Sequence, residues 1–284
     1  MFTLHNGDCL QVMPTIPSGS IDAIITDLPY GTTACKWDTV IEFAPMWKEV
    51  KRVLKPNGAF ITTASQPFTS ALIMSNPSIF KTEWIWKKNK PSGMFNSNKM
   101  PMINHEAVIV FYWKQPTFNK ILEPRECNAQ SKKRLEYKMT GFVSSGTYGN
   151  TETIKKKYDR LLRNPTTVKE FSQTPNPKRI HSTQKPVALY EYLIKTYTNE
   201  GETVLDIAMG SGTTIEAAER TGRNSIGIEK DEGIFQLAVL RLKSLTPSNN
   251  RLHMDAGDSP RLPSQSTLEG FTPAEQGSTP APRQ

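Results

Sequence analysis

The sequence predicts an α/β fold, an open sheet of parallel strands with helices on both faces and one core. Three observations carry the prediction. Short apolar runs alternate with helix-period segments along most of the chain. One such run, Ile24-Ile25-Thr26, stops abruptly at Asp27-Leu28-Pro29-Tyr30. Another, Val204-Leu205, gives way through Asp206 to a glycine turn, Gly210-Ser211-Gly212, before a further helix. Open α/β sheets bind ligands at the carboxyl ends of their strands, so both stops mark candidate sites.

Residues 4–9 read as a short strand ending in the turn Asn6-Gly7-Asp8-Cys9. The strand at 21–26 cannot continue, because Pro29 lacks an amide donor and pushes Leu28 out of helical geometry. Residues 31–38 look like a mobile loop. Phe43, Met46, Trp47, Val50, Val53 and Leu54 recur at helical spacing over 42–55, with Pro45 tolerable in the first turn and Pro56-Asn57-Gly58 as the stop. A buried strand at 59–64, a helix at 67–74 and a strand at 82–86 make a β-α-β unit. Residues 87–104, rich in Lys, Asn, Pro and Met, show no periodicity and read as irregular. The run at 105–113 returns to the sheet. Lys185-Pro186-Val187 opens a helix through 197, Pro186 suiting its first turn. Strands at 203–207 and 224–228 enclose the glycine turn and a helix at 215–220. Phe235, Leu237, Ala238, Leu240, Leu242 and Leu245 belong to a last helix. Beyond 246 the composition shifts to Pro, Ser, Thr, Gln and Gly, which reads as a disordered tail.

The formal net charge of +8 is unevenly placed. Residues 114–179 hold 15 Lys and Arg against 6 Asp and Glu, a surplus of nine, so the other segments together carry −1. Lys132-Lys133-Arg134 and Lys155-Lys156-Lys157 are the densest clusters, with Tyr137, Phe142, Tyr148 and Tyr158 among them. A local surplus of this kind fits a phosphate backbone, and these six basic residues are the candidate DNA contacts. The plainer alternative is a solvated, lysine-rich insertion. No apolar run approaches the roughly 20 residues of a membrane span, and the first eight residues lack the regions of a signal peptide. A cytoplasmic protein without a membrane partner is expected. Cys9, Cys35 and Cys127, like the four histidines, are too scattered for a metal site or a nucleophilic triad, so no metal is expected.

An exocyclic amino group on adenine or cytosine is a poor nucleophile, because its lone pair is delocalised into the ring. A carboxylate accepting one N–H and a carbonyl accepting the other would localise that pair while an aromatic face holds the base. Asp27, the carbonyl of Leu28 and the ring of Tyr30, on the turn made by Pro29, could supply all three. As a bare turn the segment needs no chemistry, so the second constellation matters. Asp206, Gly210, Ser211, Gly212 and Thr213, followed one strand later by Glu229, form a strand-turn-helix-strand unit. Glycines admit close backbone approach, helix amides attract a carboxylate or phosphate, and an acid about 20 residues on can hold ribose hydroxyls. A P-loop would need Lys where Thr213 stands, and a dinucleotide turn a small residue near Ile215. S-Adenosyl-L-methionine, an adenosine with a carboxylate and no phosphate, fits best of the three.

With the acidic turn first, the basic insertion next and the glycine turn last, residues 4–245 resemble the β-class DNA amino-methyltransferases. Asp27-Leu28-Pro29-Tyr30 resembles that family's Asp-Pro-Pro-Tyr, and residues 206–214 its Asp-Pro-Phe-x-Gly-Ser-Gly-Thr-Thr. His181-Ser182-Thr183-Gln184-Lys185-Pro186 is similar to its His-Pro-Thr-Gln-Lys-Pro segment, and His105-Glu106 to one of its strand starts. Leu28, Ser182, Ile207 and Ala208 depart from the pattern. The resemblance implies a Rossmann-like S-adenosylmethionine-dependent fold in permuted order. Its catalytic half would span 1–113, a target-recognition insertion 114–180, the cofactor half 181–245 and a tail 246–284. It places Asp8 and Cys9 near the cofactor adenine, Glu229 on the ribose, and Thr183, Gln184 and Lys185 beside the methionine carboxylate. Base flipping from double-stranded DNA and direct transfer to an exocyclic nitrogen follow from it, with the leading Asp27 favouring N6 of adenine. A homodimer and a cognate restriction endonuclease are compatible partners. The alternatives are N4-cytosine transfer, an RNA or protein-glutamine substrate, and a DNA-binding module that kept the fold without the chemistry.

Overall fold

The structure, a computed structural model, describes residues 1–33, 38–125, 162–173, 184–245 and 252–254. Contacts group Met1–His253 as one compact unit, distinct from Met254–Gln284. Strand β1 (Phe2–Asn6) begins two residues earlier than expected and ends at the expected turn, where Asp8 accepts from the Leu10 amide at 2.9 Å and starts helix α1 (Cys9–Val12). Then follow β2 (Ile21–Thr26), α2 (Phe43–Val53), β3 (Leu54–Ala64), α3 (Phe68–Ser75), β4 (Phe80–Ser92) and β5 (Ile103–Phe111). The two-residue strands β6 (Glu123–Pro124) and β7 (Leu162–Arg163) pair with each other, and β8 (Val168–Phe171) joins the main sheet. The chain continues through α4 (Val187–Tyr197), β9 (Thr203–Asp206), α5 (Thr213–Arg220), β10 (Asn224–Glu229), α6 (Glu232–Leu245) and β11 (Leu252–Met254).

Nine strands stand in the order β11-β1-β10-β9-β2-β3-β5-β4-β8. Pairing is parallel from β1 through β10, β9 and β2 to β3, whereas β5 is antiparallel to both β3 and β4. The expected all-parallel sheet therefore needs one correction. β3, α3 and β4 make the predicted crossover, but β5 lies between the two strands. Residues 107–111 are buried, and a continuous apolar run suits a central strand of either direction. Alternation along β2 explains the layers. Ile24 packs with Met46, Val50, Phe68 and Leu72 of α2 and α3, while Ala23 and Ile25 pack with Leu189, Leu193 and Ile194 of α4 and Ala217 of α5. Trp47 meets Phe60 and Phe111 edge-on, each at 5.0 Å between ring centroids.

Two boundaries moved. Helix α2 ends at Val53 rather than at Lys55, because Leu54 pairs with Ile21 and residues 55–58 bulge out before Ala59 pairs with Ala23. Lys55 Nζ, 2.6 Å from Asp22, ties that bulge down. The second change is larger. β4 and β5 extend into the stretch expected to be irregular, pairing Lys87 with His105 and Ser92 with Ile103. Residues 89–101 are all exposed, so no burial alternation was there to read. At the basic insertion, Asn119 donates from its amide to Thr196 O (2.7 Å) and from Nδ2 to Thr198 O (2.9 Å), and Trp86 donates to Phe171 O (3.0 Å). Lys132, Lys133, Arg134, Lys155, Lys156 and Lys157 lie outside the described residues. Among those described, no helix is long and apolar enough to cross a membrane.

Candidate active site

β2 delivers Asp27 to the carboxyl edge of the sheet. Asp27 Oδ1 accepts from the Tyr30 hydroxyl at 2.8 Å and from the Thr63 hydroxyl of β3, and Oδ2 accepts from Lys185 Nζ at 2.7 Å. Leu28 turns into the core, and Tyr30 stacks on Phe68 with 5.2 Å between centroids. Lys185 lies over the Tyr30 ring, 5.6 Å from its centroid, and also 3.4 Å from Glu106 Oε2. The other Glu106 oxygen pairs with Lys88. Burial by itself would lower the pKa of Lys185, but the Asp27 and Glu106 carboxylates outweigh it and hold the ammonium above its usual range. Burial first, then the same two charges, push the Tyr30 phenol far up. Tyr30 is therefore a neutral hydrogen-bond donor here.

The neighbouring strand ends carry the second constellation. Asp206 accepts from the Thr26 hydroxyl (2.7 Å), the Ala208 amide (3.1 Å) and the Thr214 hydroxyl. Burial raises its pKa to about 6 against the pull of these bonds. The Thr26–Asp206 bond joins the end of β2 directly to the end of β9. At the end of β10, Glu229 accepts from the amides of Gly210 (2.9 Å) and Asp231 (2.8 Å), and burial raises its pKa despite them. Asn6 and Gly7 both donate to the Glu229 carbonyl at 2.9 Å, and Asp8 stands 3.0 Å from Lys230. Burial, then the charge of Asp8, raises the Cys9 thiol to about 11, so it is no thiolate nucleophile.

Room for a ligand is uneven along the glycine turn. Gly210 (φ +50°) has nothing within 4 Å of where a Cβ would stand, whereas a Cβ on Gly212 (φ +76°) would meet Leu242 Cδ1 at 3.0 Å. Gly210 thus faces open space beside Glu229, and Gly212 is packed. Ser211 and Thr213 are buried with their hydroxyls 3.3 Å apart. Acids at three adjoining strand ends, an open glycine and a helix N-terminus at Thr213 fit an adenosine bearing a carboxylate.

The structure thus brings Asp27, Tyr30 and Lys185 together, and Asp206, Gly210 and Glu229 together. Gln184 is half-buried next to Lys185, and Thr183 lies outside the described residues. Sequence reasoning did not find Thr63, the placement of Glu106, or Asp38. The Asp38 carboxylate accepts from the amides of Gly31 (2.8 Å), Thr32 (2.8 Å) and Thr33 (2.7 Å), so the start of the expected mobile loop is pinned. Burial would raise its pKa, but these amides together with the Thr33 hydroxyl hold it below the usual carboxylate range. An acid closing a Gly-Thr-Thr stretch was the available signal.

A mixed sheet in which β5 runs antiparallel to both its neighbours, an acidic turn ending one strand and a glycine turn ending its neighbour define an α/β methyltransferase. Residues 21–240 match the family described as DNA methylase, covering N6 and N4 enzymes, and the chain belongs to that family of S-adenosylmethionine-dependent DNA methyltransferases. It is 26% identical over 301 residues to the type II methyltransferase M.HinfI of Haemophilus influenzae, spanning 94% of this chain and 76% of that one. Among solved structures it resembles the M1.HpyAVI–SAM complex, at 24% identity and TM-score 0.58 over 85% of this chain and 99% of that one. It also resembles the PvuII cytosine-N4-specific DNA methyltransferase, at 18% identity and TM-score 0.60 over 88% and 90% of the two chains.

Proposed function

We propose that this chain transfers a methyl group from S-adenosyl-L-methionine to the exocyclic N6 of adenine in double-stranded DNA. The observation that carries the reading is Asp27, fixed at the end of β2 and joined through Thr26 to Asp206 of the cofactor half. A duplex hides its amino groups, so the target nucleotide must turn out of the stack to reach Asp27. Asp27 then accepts one N–H of the base and the Leu28 carbonyl the other, drawing the nitrogen lone pair out of conjugation, while Tyr30 offers its ring to the base. The cofactor, when bound, supplies an electrophilic methyl group. Asp8, Glu229 and the turn from Gly210 to Thr213 would hold it.

Lys185 gains a role other than the one its motif implied. Its ammonium donates to Asp27 Oδ2 beside the Tyr30 ring, where the amino group of an incoming base would donate. Glu106 is near enough to take that charge when the base arrives. On this reading Lys185 holds the Asp27 carboxylate in place until substrate replaces it.

An aspartate at the head of the turn favours N6-adenine. The likeness to a cytosine-N4-specific fold keeps N4-cytosine as a second reading, because both bases need the same polarising geometry. A fold retained without chemistry is disfavoured, since Leu28 and Ile207 fill the core and Ala208 N still bonds to Asp206. The type II designation of M.HinfI supports, for this chain, service beside a restriction endonuclease. The test is transfer of labelled methyl to unmethylated bacterial DNA, followed by nucleoside analysis. Label in N6-methyladenine is expected, and label in N4-methylcytosine would overturn the choice of base. Asp27→Ala should remove the label while cofactor binding persists.

A further inference from the structure

The exposed tip joining β4 to β5 is unexplained by anything above. Phe95 is 84% exposed, Met94 70% and Met100 54%. Three large apolar side chains so close together in water mark a contact surface. The tip is nevertheless ordered by its backbone, since Ser97 N donates to Met94 O at 3.1 Å and Met100 N to Asn96 O at 3.0 Å.

Its position ties it to the proposed reaction. Thr63, which bonds to Asp27, pairs with Val108 of β5, and β5 runs back from there to Ile103 at the base of the tip. Five residues of strand span about 16 Å. The tip therefore projects from the catalytic edge by more than the roughly 8 Å depth of either DNA groove. Charge points to the same partner: residues 87–105 hold four lysines and neither Asp nor Glu. Lys87 and Lys88 pair with Glu170 and Glu106, while Lys90 and Lys99 flank the apolar residues on exposed backbone.

We infer that Phe95, with Met94 beside it, is a wedge that enters the base stack of duplex DNA next to the target and occupies the space the flipped base leaves. The inference rests on the methyltransferase reading above and adds the part that opens the duplex. Apolar wedges unstack base steps in this way, and an aromatic face replaces the missing stacking without regard to sequence. The lysines would meet the phosphates on either side.

The test compares two short duplexes carrying the site found by sequencing DNA that the protein has methylated. One is fully paired and the other has an abasic position opposite the target, so that its base is already unpaired. Phe95→Ala should lower kcat/KM on the paired duplex by roughly 10- to 100-fold and far less on the abasic one. Phe95→Trp should keep most of the rate, and both variants should bind S-adenosylmethionine like the parent. Equal losses on the two duplexes, or no loss on either, would overturn the wedge, the second result leaving the patch to a protein contact. No transfer by the parent chain to any DNA would overturn the methyltransferase reading and the wedge with it.

Discussion

Lys185 offers the sharpest test of how the turn at Asp27 is held. Replacing it with Met keeps the length of the side chain and removes a buried ammonium 2.7 Å from Asp27 and 3.4 Å from Glu106. Losing one partner of a buried pair costs about 3–5 kcal/mol. Here the Asp27 side chain is 27% exposed and Lys88 still neutralises Glu106, so a loss of about 1–3 kcal/mol is expected. In a chain of this size that is a fall of roughly 2–10 °C in Tm. A double-mutant cycle with Asp27→Asn isolates the pair, because Asp27→Asn alone leaves Lys185 facing Glu106. Urea denaturation of the four proteins should give a coupling of about 1 kcal/mol or more, and methyl transfer by Lys185→Met should fall although cofactor binding persists. Additivity within about 0.5 kcal/mol would mean that the two side chains do not meet in solution.

Three further expectations concern the surrounding groups. Asp206, with its pKa raised from 3.8 to about 6, binds a proton more tightly in the folded chain than in the unfolded one. Its contribution to stability therefore falls as pH rises between those values, by on the order of 3 kcal/mol, and is level above them. Asp206→Asn should remove that part of the pH dependence, and denaturation midpoints at pH 4.5 and 7.5 that differ equally in both proteins would refute this. Asp38 has the opposite sign: its pKa is lowered, so its stabilisation is present above 3.8 and disappears as pH falls through the folded value. Asp38→Ala should speed amide exchange at Gly31, Thr32 and Thr33 by about tenfold or more, matching at least 1.4 kcal/mol of local stability; unchanged exchange would free the loop from Asp38. Finally, replacing Lys155, Lys156 and Lys157 should reduce the salt slope of DNA binding by about 0.9 for each phosphate that is no longer neutralised. An unchanged slope would return the cluster to a solvated face.

The sequence spoke clearly wherever one physical demand fixed a residue. Pro29 had to end β2 and the glycine turn had to follow β9, because each follows from backbone chemistry over a few neighbours, and Glu229 stood out as the acid one strand beyond that turn. Thr63 and Glu106 were not legible. They reach Asp27 and Lys185 across strands distant in sequence, and nothing local marks a threonine or a glutamate for such a contact. The direction of β5 was hidden for a related reason, since burial on both faces leaves apolarity without orientation. Residues 89–92 failed the other way, because a strand wet on both faces has no alternation to detect. Lys185 sat in a recognisable motif, yet only the fold shows that it meets Asp27.

The interleaving of early and late strands bears on how the protein is made. β1 and β2 take β10 and β9 between them, and Asn6 reaches Glu229 across 223 residues, as Thr26 reaches Asp206 across 180. Contacts so distant in sequence form late. On the ribosome, β1 has no neighbour and one edge of β2 stays bare until residues 203–229 emerge, roughly 10–45 s later at 5–20 residues per second. A chain ending before residue 203 should therefore leave β1 unpaired and one edge of β2 bare, which makes it a substrate for chaperones and proteases rather than a partial enzyme. Methylating capacity arrives all at once, with the strands that close the middle of the sheet.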